Sequence, residues 1–150
     1  MHTAKSELLY EQDFNLWLED TAAKLRQRDL RDLDWDNLIE EIESLGKREK
    51  RELTHRLEVL LIHLLKRIYI DSTYGNRGWE LTIREQRRQL QLQIKQSPSL
   101  KLYFAEVFED CWQYALTQVK HEYAKVPFPP QWEFSQAIEA ILSEEFWRSL

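Results

Sequence analysis

The chain has 150 residues, 43% of them apolar and 12% aromatic, with a net charge of −5. That length suits a single domain with a sizeable core, and that composition excludes a disordered chain. The acidic balance argues against generic nucleic-acid binding, although the charge is unevenly spread. Residues 1–46 carry 5 Lys/Arg against 12 Asp/Glu, residues 47–95 carry 12 against 6, and residues 96–150 carry 4 against 8. A basic middle between acidic ends predicts either internal charge pairing or a face for an acidic partner. Cys111 is the only cysteine, so no intrachain disulfide forms, which fits a reducing cytosol. The opening MHTAKSELLYEQ has no apolar core of a signal peptide, and apolar runs fall far short of the roughly 20 residues of a membrane span. A cytoplasmic protein with no membrane contact is expected.

The first helix is predicted to begin between Glu7 and Asp13 and to run to about Arg28. Phe14, Trp17, Leu18, Ala22 and Leu25 would form its apolar stripe. RDLRDLD breaks the pattern. Asp34 or Asp36 then caps a second helix, whose buried stripe would be Leu38, Ile39, Ile42 and Leu45. Gly46 either ends that helix or is tolerated within it. The cost of a mid-helix Gly is about 1 kcal/mol, too little to force a break, and the stripe stays in phase through Glu49 to Leu53. The spacing therefore favours one long helix over residues 36–70, with a bend at Gly46 left open. Its centre, LEVLLIHLL, is apolar nearly all round. Leu53, Leu57, Leu60, Leu61, Leu64 and Ile68 share one face, and such a helix must be sheathed by others.

DSTYGNRG at 71–78 reads as a loop. A helix over about Trp79–Gln96 follows, with Trp79, Ile83, Leu90 and Ile94 facing inward. Thr82 and Glu85 offer a later start as a capping box. Ser97-Pro98 marks a boundary, Ser as cap and Pro in the first turn. The helix beyond runs to about Lys125 on Phe104, Phe108, Cys111, Ala115 and Val119. Residues 126–134, VPFPPQWEF, cannot be helical and should lie extended across the bundle on Phe128, Trp132 and Phe134. Residues 135–150 are expected as short helices, the first capped by Ser135, with Ser143 capping a last turn. The fold class is all-α: one domain over 1–150, a bundle of about five to six helices around the long one.

No catalytic spacing emerges. Glu52 and His55 form one Glu-x-x-His, whereas di-metal bundles use two such motifs, so no metal or other cofactor is expected. His63 lies at the edge of the central stripe, where a hydrogen-bonded boundary residue is the ordinary reading. There are no nucleophile-elbow glycines and no phosphate loop. The polar cluster singled out without an assigned role is Glu52, His55, Arg56, His63, Arg84, Arg87 and Arg88. Basic runs at 47–51 and 84–88 are interleaved with acids, the pattern of a paired, solvated face. Six Trp exceed what core packing needs, so some suit a protein interface.

Three stretches carry a likeness: LYEQDFNLWLEDTAAKLR, LDWDNLIEEIESLGKREKRELTHRLEVLLIHLLKRIY and WELTIREQRRQL, with SPSLKLYFAEVFEDCWQYA and ILSEEFW behind them. Together they resemble the bacterial domain-of-unknown-function family 29. The resemblance implies a stand-alone, all-helical protein and no known reaction, cofactor or site residue. The leading functional expectation is a non-enzymatic protein-interaction or regulatory module, binding another protein or itself. Nucleic-acid association through residues 47–95 stands second, and an enzyme with a site around His63 third.

Overall fold

The structure, a computed structural model, describes residues 4–148, apart from the side chains of Ala4, Lys5 and Glu7. The last two positions of the expected 135–150 segment lie outside the described residues. Among the described residues the fold is all-helical, with six α-helices: α1 (Ala4–Gln12), α2 (Phe14–Arg26), α3 (Trp35–Tyr69), α4 (Asn76–Gln96), α5 (Leu100–Glu122) and α6 (Ile138–Ser143). A terminal 3-10 turn covers Phe146–Arg148. The sequence read as one domain. Contacts group the chain into two compact units, up to Arg48 and from Glu49 onward, dividing inside α3.

In the first unit α1 packs on α2. The single first helix expected from sequence is two, because Asp13 interrupts it. Its backbone is extended and its carboxylate accepts the Leu16 amide at 3.1 Å, an N-cap that starts α2 afresh. Helix α2 ends in a Schellman pattern: the Arg28 amide donates to Leu25 and the Asp29 amide to Lys24. Arg28 takes the left-handed φ of 60° that glycine usually fills.

The core of this unit is small. Trp17 and Leu33 are fully buried, with Ser6, Thr21 and Asp34 beside them. The Trp17 indole donates to Asp34 Oδ2 at 3.1 Å, and Asn37 donates to the same oxygen at 2.7 Å. Tyr10 and Phe14 flank the Trp17 ring, and the Tyr10 hydroxyl donates to Glu41 on α3. The full stripe expected on α2 is not covered: Phe14, Leu18 and Leu25 are exposed, and Trp17 with Thr21 carries the contact instead. Two short helices leave too little apolar surface to bury more.

In the second unit α3 supplies the rod expected from its sequence. Leu53, Leu57, Leu60, Leu61, Leu64, Leu65 and Ile68 are buried against Ile83, Leu90, Phe104, Phe108, Trp112 and Val119. The helix runs unbroken through Gly46. Helix α4 begins at Asn76, not Trp79 or Thr82. The Ser72 hydroxyl and carbonyl receive the Gly75 and Asn76 amides and build the first turn early. Helix α4 ends at Gln96, in front of Ser97-Pro98 as predicted, and α5 closes at Glu122. Ser97 accepts the Leu100 amide through its carbonyl, so its side chain is not the cap.

Residues 123–137 form no helix, and Phe128 and Trp132 in that stretch are buried. Trp132 meets Phe108, Trp112, Phe134 and Phe146 edge-on at 5.2–6.1 Å. Both α4 and α5 contact α6. Two caps predicted here are overturned. Helix α6 starts at Ile138 with Ala137 at its N-cap, while the Ser135 hydroxyl receives the Ala137 amide. Ser143 ends α6 and donates back to Glu139 at 2.5 Å.

Candidate functional site

The polar residues singled out from sequence fall into two sets, one on α3 and one on α4. On α3, Glu52 and Arg56 pair with each other one turn apart, at 2.6 Å. His55 is exposed. His63 is half-buried, and its Nδ1–H donates to the Val59 carbonyl at 2.8 Å. Burial, then the charge of Lys66, lowers its pKa below the ordinary 6.5. No hydrogen bond or ion pair joins these residues to the α4 set. Among the described residues, no three His, Cys, Asp or Glu are grouped to hold a metal ion.

On α4, Arg84, Arg87 and Arg88 line a cleft of about 570 Å³ with Arg77, Glu80 and Trp147. Sequence reasoning grouped the first three because i, i+3 and i+4 share a helix face. It missed Trp147, which the C-terminal turn brings in from far along the chain. Arg87 is spent on structure. Its Nε donates to the Ile141 carbonyl at 2.9 Å and its Nη2 to the Glu144 carbonyl at 2.6 Å. Burial pulls its pKa down to about 10, so the guanidinium stays charged at neutral pH. Arg88 pairs with Glu85 at 3.4 Å. Among the described residues Arg77 and Arg84 make no ion pair, and they give the cleft its positive character. Glu80 and Glu145 are the carboxylates that line the same cleft. Ser143, on the cleft wall, is bound to Glu139. Cys111 is buried, and its thiol is pushed up to about 12, first by burial and then by Glu58 and Asp110.

A second feature was expected to be core. On the first part of α3, Trp35 is 42%, Ile39 50%, Ile42 60% and Leu45 56% exposed. They recur at helical spacing with half-covered Leu38 and with Gly46. The predicted burial of Leu38, Ile39, Ile42 and Leu45 is therefore corrected. The first unit packs on α3 through Glu41, Asn37 and Asp34, a different side of the helix. The stripe is in phase with Leu53, Leu57, Leu60 and Leu64, which are fully covered. One apolar face thus runs along all of α3 and is sheathed only from Leu53 on. The surplus of Trp is partly explained here, since Trp17, Trp112 and Trp132 are buried while Trp35 stands on the open face.

No helix among the described residues is long and apolar enough to cross a membrane. No curated protein and no solved structure matches the chain. The family model described as domain of unknown function DUF29 matches residues 9–147, nearly the whole of an all-helical chain, and the protein belongs to that family.

Proposed function

We propose that the chain is a non-enzymatic protein-interaction module, working in the cytoplasm, whose docking face is the N-terminal part of α3. One observation carries this reading: Trp35, Ile39, Ile42 and Leu45 stand open to solvent on one helix face. Contiguous exposed apolar groups at helical spacing mark a helix-docking surface, whereas scattered single ones do not. The cytoplasmic placement rests on the lone thiol, Cys111. The test is site-specific photocrosslinking in the native host. A photoreactive residue at Ile42 should yield a covalent protein adduct, and one at Glu40, on the opposite side, should not. Absence of any adduct at Ile42 sinks the reading.

Nucleic-acid association stands second. Arg77 and Arg84 support it, as cations without an ion-pair partner among the described residues. Against it, much of the positive charge of residues 47–95 is matched within the chain. Arg56 lies on Glu52, Lys66 on Glu122 at 3.0 Å and Arg88 on Glu85, while Arg87 serves carbonyls. A gel shift that is absent at low salt removes this alternative. A His63-centred enzyme stands third, weakened because the ring is tied to Val59 with no acid or nucleophile bonded to it.

A further inference from the structure

We infer that the occupant of this face is a second copy of the chain, its α3 packed antiparallel on the first. The inference rests on the docking reading above and adds the partner, the direction and the register.

The argument is charge. The acids that flank the first half of the open face are Asp36, Glu41 and Glu43. The end of the unit is basic, with Lys47 and Arg48. A parallel pair would set acid beside acid in the first half and base beside base at the end, both of which destabilise it. An antiparallel pair sets the acidic half of each copy against the basic end of the other, and it also opposes the two helix dipoles favourably.

The register follows from shape. Gly46 lies on the open face, and a Cβ built there meets nothing within 4 Å. The missing side chain leaves open space on the face beside Ile42 and Leu45. Ile42 is the most exposed apolar residue of the stripe, at 60%. Seating Ile42 of each copy over Gly46 of the other satisfies a two-fold axis, as a closed dimer requires. The same register brings Glu41 of one copy to within about one residue, some 1.5 Å along the axis, of Arg48 of the other. Glu41 is already held by the Tyr10 hydroxyl through Oε1, so one carboxylate oxygen is fixed in place and the other remains to accept. Arg48 is exposed and makes no ion pair among the described residues. The result is an apolar strip flanked by two symmetric Glu41–Arg48 pairs.

Sedimentation equilibrium of the full chain at micromolar concentration, with circular dichroism to confirm folding, tests this. Wild type should sediment as a dimer. I42D should be monomeric. R48E, which sets two acids together twice, should weaken the dimer by roughly tenfold or more. The double variant E41K/R48E restores opposite charges in the antiparallel register and should recover the dimer. A wild type that is monomeric throughout overturns the inference. So does a folded R48E that dimerises as well as wild type, or a double variant no better than R48E. If the wild type is monomeric while Ile42 still crosslinks to a different protein, the docking reading stands and the second copy falls. If Ile42 crosslinks to nothing, both fall.

Discussion

Arg87 can lie in the core because its guanidinium has somewhere to point. It is 8% exposed and reaches the Ile141 and Glu144 carbonyls at the end of α6. Gln91 adds a bond to Leu142 at 3.2 Å. A helix end leaves such carbonyls without partners, and here a neighbouring helix supplies them. Removing Arg87 strands two acceptors, at about 1–3 kcal/mol each. R87A should therefore lose about 2–4 kcal/mol in urea denaturation, and R84A, at the exposed neighbour, under about 0.5. His63 makes a different prediction. Its folded pKa lies below the ordinary 6.5, mainly through burial. Between those two values the unfolded chain holds more protons, so stability rises with pH across that window. Below the folded pKa the whole deficit is present. Denaturation midpoints of H63Q should lose this slope below pH 6.5 relative to wild type. The sequence made the face shared by Arg84, Arg87 and Arg88 legible. Arg87's task was hidden, since its partners are backbone atoms 54 and 57 positions away. Spacing rules see neighbours in the chain, not carbonyls delivered by the end of a distant helix.

Helix α3 carries one apolar pattern under two fates. Ile42 and Leu60 lie on the same face, yet one is 60% exposed and the other wholly buried. L60A should cost about 2–5 kcal/mol, whereas I42Q should change unfolding of the isolated chain by under about 0.5 kcal/mol. Gly46 sits in regular helix with open space around its missing Cβ. G46A should therefore stabilise α3 by up to about 1 kcal/mol, read from the thermal midpoint. Periodicity revealed the helix and its apolar side, because both follow from residues three and four apart. What covers that side is a tertiary fact that hydropathy does not encode. So Leu53 onward matched expectation, and Leu38 to Leu45 did not. Asp13 shows the same limit in reverse: the start of the first helix was left open between Glu7 and Asp13, and a separate helix ahead of the Asp13 cap was not foreseen.

The two units differ in how much they can hold by themselves. The second has a cluster built from α3, α4, α5 and α6 with the Trp132 aromatic set. Among its described residues the first has Trp17 and Leu33 as its only fully buried large side chains. A unit of under 50 residues with so small a core opens at low free energy. Amides of α2 should exchange with solvent well before those of α5 in native-state hydrogen exchange, and partner binding on α3 should narrow the gap. The Trp17–Asp34 bond should be the last of the first unit's contacts to open.

The bonds from Arg87 and Gln91 to the carbonyls of Ile141, Leu142 and Glu144 also bear on how this protein is made. A nascent chain released before residue 138, or one trimmed there by a protease, would keep α4 but lose every acceptor for a cation already pointed inward. Such a product should be less stable than the full chain, since it also loses the buried side chains Ile141, Leu142 and Phe146.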